Sequence, residues 1–243
     1  SKDSLGNILA SRLEADGVKV CAPRVKEPTS LAVVSLNDSQ PSYQFYRDGT
    51  AERQISLQML NEIIPTATKI FHVGSIALID GEDANLWERK FCELMEQGVI
   101  TSLDPNIREL LVKNKKQYLD RLKRMSKYAN ILKLSDEDLS YMRPEASLGD
   151  AFTEICRSTE AEIIVLTMGA KGARVKAGEI SFEVSAEVCD PLVDTIGAGD
   201  TFMGTILAEI NEKKVSAATL SNISEDELSH IIERASKAAA LNC

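Results

Sequence analysis

The sequence predicts an α/β fold: a doubly wound, mostly parallel sheet in a three-layer arrangement, with a small β appendage near its front. Two observations carry this. Helix-like segments alternate with short runs that are apolar throughout, the mark of parallel strands covered on both faces. At 243 residues, with 44% hydrophobic and 27% charged residues, the chain can bury the core such a fold requires.

The elements follow in order. SKDSLGNILASRLEADGV reads as an amphipathic helix with Leu5, Ile8, Leu9 and Leu13 on one face. VKVCA, SLAVVSL and YQFYR read as strands, the last two joined through the polar turn NDSQPS, so residues 18–48 form the β appendage. In its last strand Tyr43 and Phe45 alternate with Gln44 and Tyr46, which lets one face be apolar. From Ile55 the rhythm changes. Helical ISLQMLNEII precedes strand TKIFHVGS, ANLWERKFCELMEQ precedes VITSLD, a basic helix precedes ANILKLS, and AFTEICRS precedes AEIIVLTMG. ARVKAG and EISFEVSA read as an antiparallel pair around a glycine turn, and a glycine loop then opens a helix at about Asp200. No repeat, low-complexity tract or linker breaks the chain, so residues 1–243 read as a single domain. Ligands in such sheets bind beyond the carboxyl ends of the strands, which directs attention to the loops LDPNIR, LSDED and TMGAKGA.

Charge and composition exclude several classes. A formal net charge of −9 argues against nucleic acid as a partner, which needs clustered Lys and Arg. The basic run from Lys113 to Arg124 reads as a solvated helix face with Leu119 and Leu122 turned inward. Cys21, Cys92, Cys156, Cys189 and Cys243 are odd in number and never paired as CxxC, which suggests reduced thiols in a cytoplasmic protein rather than a disulfide frame or zinc site. His72 and His230 are too few for a His-rich metal centre. No apolar run approaches membrane-spanning length, and no membrane partner is expected. The chain starts on Ser1 with a helix where an α/β fold would offer a strand, and stops within a helical pattern, so a longer protein is expected on both sides.

The loop DTIGAGDTF, Asp194 to Phe202, carries the chemistry. Gly197 and Gly199 allow backbone angles at which successive N–H groups converge on an anion, and the helix that follows adds its positive end. Asp200 is then either a helix N-cap or a catalytic carboxylate. A Walker A loop is excluded because no glycine is followed by Lys and then Ser or Thr. A dinucleotide fingerprint fails at Phe202 and sits too late in the chain.

Taken with the upstream VLTMGAKGA, this loop resembles those of the ribokinase-like, or PfkB, carbohydrate kinases. GNILASRLEADGV, FYRDGTA, LDPNIR and LKLSDEDL resemble pieces of the fructokinase and 2-keto-3-deoxygluconate kinase branches. The resemblance implies a ribokinase-like fold and an ATP-dependent kinase that phosphorylates a hydroxymethyl group of a ketose such as fructose. The alternatives are 2-keto-3-deoxygluconate, and a non-catalytic module that binds nucleotide or sugar. By the same resemblance Asp200 is the base, and Gly197, Ala198 and Gly199 form the anion hole for the transferring phosphoryl group. Ser135, Thr167, Gly169 and Gly172 fall at nucleotide-binding positions, and Arg47 and Arg108 at substrate-binding ones. Asp194 matches a monovalent-cation position, with K⁺ as the implied ion, and anchoring the loop as its other role. Asp138 stands where relatives carry a Glu that organises Mg²⁺, one methylene shorter. Mg²⁺ carried by ATP is the implied metal. The appendage resembles the family's lid, which implies a homodimer formed through it. The family's leading sugar-binding Asp and Gly-Gly hinge have no match in these residues.

Overall fold

The computed structural model describes every residue except 38, 39, 188 and 190–193. The chain forms two compact units, one of Ser1–Ala67 with Gly81–Leu86 and one of Thr68–Asp80 with Trp87–Cys243.

In the first unit, helix α1 (Ser4–Ala15) begins at Asp3. One oxygen of that carboxylate accepts from the Gly6 N–H and the Thr29 hydroxyl, the other from the Thr29 N–H, all at 2.7 Å. These bonds hold its carboxyl well below the usual carboxylate range. The helix buries Gly6 and Ala10. Leu5, Ile8, Leu9 and Leu13, expected to turn inward, are exposed. The small residues allow the close approach: a Cβ at Gly6 would stand 2.6 Å from the Ser1 carbonyl oxygen. VKVCA forms no strand. Pro23 and Pro28 follow it, each lacking a donor for a ladder. Strands β1 (Leu31–Asn37) and β2 (Gln40–Tyr46) pair antiparallel from Leu31↔Tyr46 to Asn37↔Gln40. The ladder therefore runs into the expected turn NDSQPS, whose Asp38 and Ser39 lie outside the described residues, as does the side chain of Tyr43. Phe45 is half-buried while Gln44 and Tyr46 are exposed, the alternation expected of that strand. Helix α2 (Leu57–Ile63) follows, capped by Ser56.

The second unit carries the main sheet. Its elements are β3 (Ile70–Gly74), α3 (Gly81–Glu96, whose first residues count with the other unit), β4 (Ile100–Asp104), α4 (Lys115–Ser126), β5 (Ile131–Ser135), α5 (Asp136–Met142), α6 (Leu148–Ser158), β6 (Ile163–Thr167), β7 (Ala173–Ala177), β8 (Ile180–Val184), α7 (Ala198–Glu212) and α8 (Glu225–Leu241). The strands lie in the order β3-β4-β5-β6-β7-β8. The first four are parallel and the last two complete an antiparallel edge. The helices between the parallel strands lie on a single face. There Phe91, Tyr118, Leu122, Leu139 and Phe152 pack on Val73, Leu103, Leu134 and Leu166. The opposite face is covered by α7 and α8, whose Phe202, Ile206, Ile210, Leu228 and Ile232 pack on Ile100, Ile131, Ile163, Val165 and Val175.

SDED, expected to be loop, is helix: Ser135 accepts from the Asp138 N–H and Asp138 accepts from the Ser135 N–H, a reciprocal cap that starts α5 directly at the end of β5. In α4, Leu122 is buried and Leu119 half-buried, as the basic run predicts. Arg121 is buried too, donating to the carbonyls of Leu78 and Ile79 and to Glu88.

Candidate active site

Strand alternation builds the floor of the site. On the face covered by α7, β3 presents Ile70, His72 and Gly74; β4 presents Ile100, Ser102 and Asp104; β5 presents Ile131, Lys133 and Ser135; β6 presents Ile163, Val165 and Thr167. Each strand begins apolar, and β4, β5 and β6 end polar while β3 carries His72 before Gly74. Register brings the polar ends together, with His72 beside Ser102, Gly74 beside Asp104 and Ser135 beside Thr167.

At the centre, the Lys133 ammonium donates to Asp104 Oδ2 at 2.7 Å, and both side chains are 4% exposed. The other Asp104 oxygen is buried and has no hydrogen-bond partner among the described residues. Burial pushes the Asp104 carboxyl up; Lys133 opposes this, while Asp138 and Asp200 add to it. His72 Nδ1 lies 2.9 Å from Ser102 Oγ. Desolvation first, and then Lys133, hold its imidazole below the ordinary value against the pull of Asp200, so it is neutral at pH 7.

Above this floor, α7 starts on a glycine and, like α3, without a side-chain cap. Side chains of Asp3, Ser56, Asn114, Ser135, Ser147 and Ser224 cap α1, α2, α4, α5, α6 and α8. The N-cap of α7 is Gly197 at φ +80°, which has no side chain to offer. The Ala198 N–H turns back to the Thr195 carbonyl at 3.2 Å. The N–H groups of Gly199 and Asp200 have no acceptor among the described residues, so the positive end of the helix stays open to an anion. Asp200 is exposed in the first turn. Because Gly197 occupies the cap, Asp200 is not the N-cap, and its carboxylate stays available for chemistry.

The loop before the helix is held from two sides. Asp194 Oδ1 accepts from the Ile196 N–H at 2.8 Å, and the Asp194 N–H donates to the Cys243 carbonyl at 3.2 Å. From the end of α8, the Asn242 amide donates to the Ile196 carbonyl at 2.7 Å. Asp194 is exposed, so its second oxygen can still meet a cation.

The remaining expected residues are placed as follows. Asp138 is buried, with Oδ1 accepting from the Ile107 N–H at 2.7 Å and Oδ2 from the Ser135 N–H at 2.9 Å. It thereby fastens the loop after β4 to the start of α5. Arg108, on that loop, is exposed. Gly169 and Gly172 form a tight turn after β6, in which the Met168 N–H meets the Gly172 carbonyl at 2.8 Å. Arg47 lies in the first unit, buried, with Nε 2.6 Å from Glu52 Oε1. Sequence reasoning assigned no role to His72, Ser102, Asp104 or Lys133. The available signal was polar residues two apart inside otherwise apolar strand runs: HVG after IF, TSLD after VI, and LKLS.

Among the described residues no group of three His, Cys, Asp or Glu side chains could hold a metal ion, and no helix is long and apolar enough to cross a membrane.

Comparison with known proteins identifies the family and the fold. A family model described as pfkB family carbohydrate kinase matches residues 1–243. A curated fructokinase of Rhizobium leguminosarum bv. trifolii is 36% identical over 212 residues, covering 86% of this chain and 63% of that protein. The chain spans 63% and 65% of the length of two curated fructokinase relatives, a little under two thirds. Among solved structures, fructokinase from Xylella fastidiosa with bound ATP superposes with a TM-score of 0.87 at 24% identity, covering 99% of this chain and 76% of that one. Fructokinase from Vibrio cholerae O395, solved with fructose, ADP and calcium ion, gives 0.79 at 26% identity, with 99% and 74% covered.

Proposed function

Because the chain belongs to the pfkB family of carbohydrate kinases, we propose that the protein is an ATP-dependent sugar kinase acting on a hydroxymethyl group of a ketose, with fructose as the acceptor. The observation that carries this reading is the exposed Asp200 carboxylate set beside the open N–H groups of Gly199 and Asp200 at the uncapped start of α7. Asp200 takes the proton of the acceptor hydroxyl as the new O–P bond forms. The bond between the γ-phosphorus and the β,γ-bridging oxygen breaks, and its electron pair leaves with ADP. The open amides meet the charge on the transferring phosphoryl oxygens; positioning and charge stabilisation of this kind supply most of the catalysis in phosphoryl transfer.

Mg²⁺ fits this donor set as an ion carried by the nucleotide rather than caged by protein. The exposed Asp200 is the carboxylate group that would meet it, the oxygens of Asp104 being buried and both oxygens of Asp138 being committed to backbone. When bound, the ion neutralises phosphate charge. Ser135 and Thr167 at the strand ends, with the Gly169–Gly172 turn, are assigned to the nucleotide. Asp194 is assigned to a monovalent cation such as K⁺. Arg108 and Arg47, the latter paired with Glu52, are assigned to the sugar. The β1–β2 hairpin takes the family's lid role and pairs two copies into a homodimer, and the setting is cytoplasmic. A second acceptor, 2-keto-3-deoxygluconate, is favoured by the exposed guanidinium of Arg108, whose planar fork suits a carboxylate.

The test is ADP release by the full-length chain with Mg²⁺ and ATP, offered fructose, 2-keto-3-deoxygluconate, ribose or a nucleoside. A fructose-dependent signal is expected, and Asp200→Asn lowers kcat about 10²- to 10⁴-fold while ATP binding is kept. Turnover retained in that variant overturns Asp200 as the base; the acceptor that gives the signal decides between the two sugars.

A further inference from the structure

Lys133 and Asp104 are the side chains that the mechanism above uses least and the fold protects most. Both are 4% exposed, and a buried ion pair of this kind seldom favours folding over an apolar pair of the same size, because the desolvation of two charges offsets their attraction. A pair serving only to close the core would spend all its hydrogen-bonding capacity within it. Here one Asp104 oxygen has no partner among the described residues. The pair also has a specific neighbour: a Cβ built on Gly199 would stand 3.4 Å from Lys133 Nζ and 3.9 Å from its Cε. The ammonium therefore lies against the first turn of α7, at the residue whose N–H is open.

We propose that Lys133, held in place by Asp104, is a positioning residue for the anion hole: its ammonium props the first turn of α7 at Gly199 and fixes a positive charge beneath the open amides. Lys133 acts through that turn and not by touching the phosphoryl group, which its burial keeps it from reaching. Its charge counts because the surroundings are acidic. Asp104 from β4 binds it and His72 from β3, which is neutral at pH 7, lies within reach of its charge, while Asp200 from α7 acts on both of these and Asp138 from α5 acts on Asp104. Without Lys133, a phosphoryl group arriving at Gly199 would meet carboxylates with no fixed cation beside them among these groups. This role rests on the kinase reading, since it concerns how a phosphoryl group is held.

The experiment compares the full-length chain with Lys133→Met, Lys133→Arg and the double variant Lys133→Met/Asp104→Asn. Calorimetry measures the binding of MgAMP-PNP and of MgADP, and steady-state kinetics with MgATP and fructose gives kcat and KM. Lys133→Met is expected to weaken MgAMP-PNP about 5-fold or more and MgADP less than about 2-fold, because the lost charge lies under the γ-phosphoryl position. It lowers kcat about 10- to 100-fold with the fructose KM within about 2-fold, and Lys133→Arg recovers part of the loss. If Lys133→Met fails to fold, the double variant, which leaves no unpaired buried charge, carries the same measurements. Equal losses for both nucleotides, or a variant within about 2-fold of wild type, overturn the proposal. A wild-type chain with no sugar-dependent ADP release overturns the kinase reading instead, while the contrast between the two nucleotides still decides the role of Lys133.

Discussion

Asp104 and Asp138 lie at the same end of the sheet, and their hydrogen bonds separate them. Asp138 gives one oxygen to the Ile107 N–H and the other to the Ser135 N–H, so it ties backbone to backbone. Asp104 keeps one oxygen unbonded among the described residues and has its charge balanced by Lys133. The sequence marks Asp138 through its spacing from Ser135, and that spacing is equally the signature of a helix cap; only the position of Ile107 reveals the second bond. Asp104 and Lys133 are 29 residues apart, so nothing local pairs them. The glycine loop is legible because its chemistry is contiguous. Cysteine reactivity is settled at this scale too. Burial first, and then Glu88 and Glu96, push the Cys92 thiol up to about 11. Negligible thiolate is present at neutral pH, and the thiolate is the reactive form. Peptide mapping after brief iodoacetamide treatment of the native protein at pH 7.5 should therefore find Cys92 essentially unmodified.

The alternation of helix and apolar run predicts the parallel strands and the helices between them, and all four parallel strands form where those runs stand. Two expectations fail for reasons outside the local pattern. VKVCA has the composition of a strand but is followed by Pro23 and Pro28. The apolar stripe of α1 faces out because the helix packs through Gly6 and Ala10. Close backbone approach sets other limits that composition does not show. Gly172 has φ +89°, and a Cβ there would lie 2.0 Å from the Val184 carbonyl oxygen, where β7 leaves the turn beside β8. Gly178 has φ +54° with nothing within 4 Å. Gly172→Ala should thus cost clearly more than Gly178→Ala, by upwards of about 1 kcal/mol. For a chain of this size that separates the two melting temperatures by at least about 2 °C in a calorimetric scan.

For the molecule as a whole, acid is the informative perturbation, given a formal net charge of −9. The Asp3 carboxyl is held well below its ordinary value by hydrogen bonds from Gly6 and Thr29. A carboxylate whose folded value is depressed adds stability above its unfolded value, and that contribution disappears as pH falls toward the folded value. The melting-temperature gap between wild type and Asp3→Ala should be largest above about pH 5 and should close on acidification below about pH 4. A gap independent of pH would mean that the hydrogen bonds of Asp3 do not depend on its charge.

The two faces of the main sheet have different histories during synthesis. The face bearing Phe91, Tyr118, Leu122 and Phe152 is closed as the chain emerges, because each covering helix is made between the strands it joins. The other face, with Ile100, Ile131, Ile163 and Val165, waits for α7 and α8, which follow all six strands of that sheet. Until they leave the ribosome, a nascent chain shows a broad apolar surface, the kind of surface that recruits chaperones. Lys133 and Asp104 stay hydrated for the same interval, and become a buried pair only when the helix carrying Asp200 docks.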